Sequence, residues 1–196
     1  MASKSLLAWG FKAEADRLSE QYRKELRLSK FSPLDAISLA DHLNIGVFSV
    51  DEIFSGKKDN PAYLHMSDPV NFSAMWLPNT YGEKIIIHNT KHSIYRQQSN
   101  LMHELAHIIR KHEVPDEQAK LCAQLSLHYY NPLHEQEAKY LGGCLQVSRP
   151  GLLWALKYNY SAEQMSQYFN ASIEMINYRL GITGVKKQRY YQALKH

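Results

Sequence analysis

Five consecutive residues, His103-Glu104-Leu105-Ala106-His107, set two imidazoles four positions apart with a carboxylate beside the first. On a helix this spacing puts both rings on one face, one turn apart, where they can grip a single zinc ion. Glu104 is offset by about 100° from His103, so it can approach a water on the metal without being a ligand. Zinc lowers the pKa of such a water from about 15.7 to near 7. Glu104 as general base would take the proton and pass it to a leaving amine. Ten histidines in 196 residues would produce this pattern about 0.03 times by chance, which makes coincidence a poor explanation. A second pair at the same spacing, His88 and His92, has Asn89 in place of the carboxylate and straddles a strand end. It is read as chance.

The motif sits inside the apolar helical pattern of Ser93 to His112, with Ile94, Leu101, Leu105 and Ile108 in one row and Tyr95, Met102, Ala106 and Ile109 in another. Burying two imidazoles and a carboxylate there costs several kcal/mol unless each finds a partner, and one metal ion partners all three. A catalytic zinc takes three protein ligands and leaves a fourth position open. The candidates for the third are Glu135 and Glu137, in the helical pattern after Pro132. Two residues apart, they lie about 200° apart around a helix and cannot both serve. Glu137 shares its face with Leu141 and Cys144, an apolar face that packs inward, whereas Glu135 shares its face with Lys139 and Gly142. The sequence therefore favours Glu137, with Ala138 beside it permitting close helix approach.

The elements around this centre follow from periodicity. Residues 5–29 read as a helix with Leu6, Ala13, Leu18, Tyr22 and Leu26 inward. Ser32-Pro33 signals the start of a second, short helix reaching about Leu43. Strands are expected at 45–50, 72–77 and 84–88, with residues 55–70 as loop and 78–82 as a turn. Further helices are expected at 115–129, with Ala119, Cys122 and Leu125 inward, at 133–147, and as three short pieces at about 150–158, 161–168 and 172–180. Ser161 and Ser172 start the last two; each has Glu two positions on, which supports the first turn without completing a capping box. The strand at Lys84–His88 just precedes the metal helix, so Ile85, Ile86 and Ile87 are candidates for an edge that pairs with an extended substrate.

Composition bounds the class. The chain is 44% hydrophobic and 21% charged, which describes a globular protein and gives no sign of disorder. No apolar run approaches the roughly 20 residues of a membrane span, the N-terminus lacks the pattern of a secretion signal, and Cys122 and Cys144 are too few for a disulfide framework. A cytoplasmic protein with reduced thiols is expected. Of the net charge of +4, residues 148–196 carry +5, from seven Lys/Arg against two Glu. That quarter could face an acidic partner or DNA, although its last helix offers few base-reading side chains beyond Glu174, Asn177 and Arg179.

Across nearly its whole length the chain resembles the ImmA/IrrE-type metallopeptidases. GFKAEADRL and SPLDAISLADHLNIGVFSV resemble that family's N-terminal helices and first strand. IIIHNTKHSIYRQQSNLMHELAHIIRKH resembles its strand and metal helix, EAKYLGGCLQVSRPGL its third-ligand helix, and SAEQMSQYFNASIEMINYRLGITG its closing helix-turn-helix-like segment. The chain departs from the family pattern at Lys139, at the Gly142-Gly143 pair and at Ser148.

The resemblance implies an α+β, predominantly helical fold. A zincin-like core over 1–147 would pack a small antiparallel or mixed sheet on the metal helix, and a helix-turn-helix-like module would follow over 148–196. It implies His103, His107 and Glu137 as zinc ligands, with manganese able to occupy the same set, and Glu104 as the catalytic base. It also implies a protein substrate, a helix-turn-helix transcriptional repressor of a mobile element or stress response. The rival expectation is a non-hydrolytic regulator or toxin-like protein that binds DNA or a protein through the basic C-terminal module. Candidates for stabilising the oxyanion are His128, Tyr129, Tyr130, Arg110 and His112.

Overall fold

A computed structural model of the chain describes residues 6–112 and 131–188. The expected helix at 115–129, with Ala119, Cys122 and Leu125, lies outside them, as do His128, Tyr129 and Tyr130. The fold is α+β and mostly helical, with one small mixed sheet, as expected.

Helix α1 (Phe11–Glu25) starts later than its periodicity suggested because Gly10 takes a left-handed conformation at its N-cap. Its buried face is Phe11, Ala15, Ser19 and Arg23, while Ala13 is exposed. Hydropathy alone does not find a buried face half made of polar residues. Arg23 is fully buried because its guanidinium donates to the carbonyls of Leu145 and Gln146 at 2.8 and 3.3 Å, and to that of Ser32 at 3.0 Å. These carbonyls include the otherwise orphaned C-terminal ones of a second helix. Helix α2 (Ala36–His42) is capped by Asp35, whose carboxylate accepts from the Ser38 amide, and not by Ser32. Gln98 bridges this cap, accepting from the Ala36 amide and donating to Asp35, each at 2.8 Å.

Strand β1 (Gly46–Ser49) leads into a short helix α3 (Val50–Ile53) through a Ser49–Glu52 capping box. The stretch expected as loop contains helix α4 (Pro61–Met66), begun by an Asn60 cap and Pro61 in the first turn. Strands β2 (Ala74–Pro78) and β3 (Lys84–His88) follow. The sheet order is β1-β3-β2, with β3 parallel to β1 and antiparallel to β2. This corrects the expectation for Ile85, Ile86 and Ile87. They form the central strand, paired to Val47 and its neighbours on one side and to Leu77, Trp76 and Met75 on the other. A strand with both edges occupied has no backbone groups left for a substrate.

The sheet packs on helix α5 (Ile94–Ile109), which also lies along helix α6 (Pro132–Gln146). One apolar core runs from Phe11 to Leu145 through α1, α2, α5 and α6. A second, from Val147 to Val185, is built by α7 (Arg149–Lys157), α8 (Ala162–Phe169) and α9 (Ile173–Thr183). Ser161 does complete a capping box, with Gln164 as the reciprocal partner. Asn170, in left-handed conformation, makes the tight turn before α9. Arg179 is turned inward: it is fully buried, donates to the Val147 carbonyl at 3.0 Å and lies 3.5 Å from Asp16. It is not on the exposed face of α9, where Glu174 and Asn177 remain. Among the described residues no helix is long and apolar enough to cross a membrane.

Candidate metal centre

Ser93 caps α5, its hydroxyl accepting from the Arg96 amide. Leu101, Met102, Leu105 and Ala106 are buried and hold the helix rigidly against sheet and neighbours. The adjoining face carries His103, half-buried, and His107, buried. Their Nε2 atoms face each other at 3.1 Å.

The third group at this point is Glu135. Its Oε2 lies 3.2 Å from His103 Nε2 and its Oε1 lies 3.5 Å from His107 Nε2. Among the described residues this is the one set of three such donors that converges. Glu137 is not brought to the histidine pair. It is inward, at 8% exposure, but its Oε2 accepts from Arg110 Nε at 3.1 Å and from His112 Nε2 at 3.0 Å. The carboxylate beside the histidine pair is therefore Glu135, and the expected Glu137 lies apart from it. Being buried and facing the histidines are different things when a helix is covered on several sides, and α6 packs on α1, α5 and α9. The face bearing Glu135, Ala138 and Gly142 is the one turned to α5. A β-carbon on Gly142 would lie 2.8 Å from the Met102 carbonyl oxygen and 3.2 Å from the His103 Cα. The signal was present in the small residues: Ala138 and Gly142 lie three and seven positions from Glu135, and mark a seam of close helix approach.

Glu104 turns toward the sheet. Its Oε2 accepts the backbone N–H of Trp76 on β2 at 3.1 Å. Burial pushes its carboxyl above the usual carboxylate range, while His103, His107 and the Trp76 amide oppose the shift. A carboxylate raised in this way is a better proton acceptor at neutral pH than an exposed one.

Residues 63–181 match the family model Peptidase_M78, the IrrE N-terminal-like domain. The chain belongs to the ImmA/IrrE-type metallopeptidase family. A comparison with curated proteins returns no match.

The donor set of this metallopeptidase fits a metal ion. A tetrahedral zinc with bonds of about 2.0–2.1 Å has ligand-to-ligand separations of about 3.3–3.4 Å; the two Nε2 atoms lie 3.1 Å apart, and each has one of the two Glu135 oxygens beside it, Oε2 at 3.2 Å from His103 and Oε1 at 3.5 Å from His107. A hydrogen bond from His103, with the His107 ring beside it, holds the Glu135 carboxyl well below the usual carboxylate range, so it stays ionised. Burial alone would raise Glu137, but hydrogen bonds from His112 and Arg110 bring it below its ordinary value.

Of the oxyanion candidates, Arg110 is engaged with Glu137 and, at 2.8 Å, with Glu14. His112 is buried between His107 and Glu137, its ring stacked on His134 at 4.2 Å. His92 bonds Ser73 and the Phe72 carbonyl. Sequence reasoning had no role for the Arg110–Glu137–His112 group as a unit, because its members meet only when α5 and α6 are packed together.

Proposed function

We propose that this metallopeptidase is a cytoplasmic zinc-dependent endopeptidase that cuts an extended segment of a protein. His103, His107 and Glu135 would hold the ion, and manganese suits the same donors. When bound, such an ion acidifies a water and polarises a peptide carbonyl. Glu104, held by the Trp76 amide, would be the proton acceptor beside the ion and would return the proton to the departing amine nitrogen. The observation that carries this reading is the convergence of three donors within 4.8 Å of one another, one residue from a carboxylate with a raised pKa.

The substrate rail that suits this arrangement is β2 in place of Ile85–Ile87. It is an outer strand of the sheet, and Trp76, whose N–H goes to Glu104, sits in its middle. In an antiparallel strand the N–H and C=O of one residue turn to the same side. The Trp76 carbonyl therefore faces away from β3, to the side that no other described strand occupies, where it can accept from an extended chain. The family resemblance supplies the substrate class, a helix-turn-helix repressor.

The test is incubation of the purified chain with the repressor encoded beside its gene, with zinc and with chelator. Cleavage is expected with zinc and lost with chelator. Glu104→Gln is expected to keep the fold and one metal per chain while losing at least about 10²-fold in rate. A fully active Glu104→Gln would overturn the mechanism.

A further inference from the structure

We propose that Arg110, Glu137 and His112 are positioning residues that hold His107 in the one tautomer a metal ion can use. The inference rests on the metal-centre reading above, and concerns residues that do not themselves reach the ion.

The direction of each hydrogen bond follows from the carboxylate end. Glu137 Oε2 accepts from Arg110 Nε at 3.1 Å, and beside a guanidinium it has no proton to give. His112 Nε2, 3.0 Å away, is therefore the donor to it. A neutral imidazole has one donor and one acceptor nitrogen, so His112 Nδ1 accepts. Facing it at 3.0 Å is His107 Nδ1, which consequently carries the proton of its ring. His107 Nε2 is left with a bare lone pair. That is the nitrogen turned to His103 Nε2 at 3.1 Å and to Glu135 at 3.5 Å.

The group is also anchored. His112 is 6% exposed and stacks within 2° of parallel on His134, so its ring is held in plane. Arg110 is gripped by Glu14 at 2.8 Å and lies over the Phe11 ring at 5.0 Å, which ties the far end to α1. Remove the carboxylate and His112 is free to present Nδ1–H. His107 then accepts at Nδ1 and carries its proton on Nε2, in the position the metal needs. Outer partners of this kind typically control metal affinity by about 10–100-fold.

The experiment uses the full chain, stripped of metal, and three variants: Glu137→Leu, Glu137→Gln and Glu135→Leu. Zinc affinity is measured by competition with a chelating dye, cobalt absorption reports coordination, and long-range ¹H–¹⁵N spectra of the apo protein report histidine tautomers. Glu137→Leu is expected to weaken zinc binding by about 10–100-fold while keeping one tetrahedral cobalt per chain. Glu137→Gln, whose amide oxygen can still accept from His112, is expected to recover part of the loss. Glu135→Leu is expected to change the cobalt spectrum itself. In the apo spectra His107 is expected as the Nδ1–H tautomer in the parent and as a mixture in Glu137→Leu. A Glu137→Leu variant with unchanged zinc affinity or an unchanged tautomer pattern would overturn the inference, as would one whose cobalt spectrum is lost in the manner of Glu135→Leu. A parent chain that binds no zinc would instead overturn the metal-centre reading, and the apo spectra would still decide the tautomer.

Discussion

Gly142 faces the Met102 carbonyl so closely that a β-carbon there would lie 2.8 Å from its oxygen. The obstacle is backbone, which cannot rotate away, so α6 rests on α5 at a distance only glycine permits. One residue along, Gly143 faces α9, where a β-carbon would meet the Arg179 side chain, with Cδ at 2.9 Å. The pair costs helix stability, up to about 1 kcal/mol per glycine relative to alanine. In return α6 is close enough to α5 for Glu135 to reach both histidines.

Gly142→Ala should therefore weaken both fold and metal site. Overpacking costs about 1–3 kcal/mol and the gain in helix propensity offsets about 1 of it, leaving a net loss of up to about 2 kcal/mol in urea unfolding of the apo chain. Zinc affinity is expected to fall with it by about tenfold or more, because α6 carries Glu135 away as it shifts. A variant with parental zinc affinity would show that the approach of α6 to α5 does not set the site.

Trp76→Pro tests how Glu104 is held. The Trp76 amide points to Glu104 and away from the β2–β3 ladder, so proline removes that donor without deleting a ladder bond. A hydrogen bond to a charged group contributes about 1.5–3 kcal/mol. The expected outcome is a folded, zinc-binding protein whose kcat on a cleavable protein substrate falls by about tenfold or more. Circular dichroism and zinc titration separate this from unfolding.

The buried thiol of Cys144 predicts an alkaline limb of stability. Burial pushes it up to about 12, and it donates to Asp16 Oδ1 at 3.3 Å, a bond only the protonated form can make. In the unfolded chain a cysteine titrates near about 8.5. Above that pH the unfolded chain gives up a proton that the folded chain keeps, so stability falls as pH rises toward 12, by up to about 1.4 kcal/mol per pH unit. Tyr140, likewise pushed up to about 12 by burial, adds to the decline. In Cys144→Ala the slope of unfolding free energy against pH between about 9 and 11 should be shallower by up to that amount; an unchanged slope would show that Cys144 does not contribute.

Much of this architecture was legible along the chain. The α5 pattern, the metal motif within it, the three strands and the short C-terminal helices all declared themselves through local periodicity. Where the reading missed, the structure used chemistry that hydropathy does not score. Arg23 and Ser19 were invisible as core positions because their burial depends on the carbonyl ends of a helix more than a hundred residues away. Helix α4 was hidden in a stretch whose Asn60-Pro61 start resembles an ordinary turn.

The sequence by itself determined that His103 and His107 share one helix face with a carboxylate between them, and the family to which the chain belongs, because each is written within a turn or two of helix. Which glutamate faces the two histidines, and which described strand lies outermost in the sheet, were decided only in three dimensions. Helical periodicity states that Glu135 and Glu137 point about 200° apart, but not which of two buried faces is turned to the histidines; the contact of Gly142 with Met102 settles that rotation. Strand patterns likewise state that β2 and β3 pair, but not that β1 occupies the other side of β3 and leaves β2 outermost among the described strands.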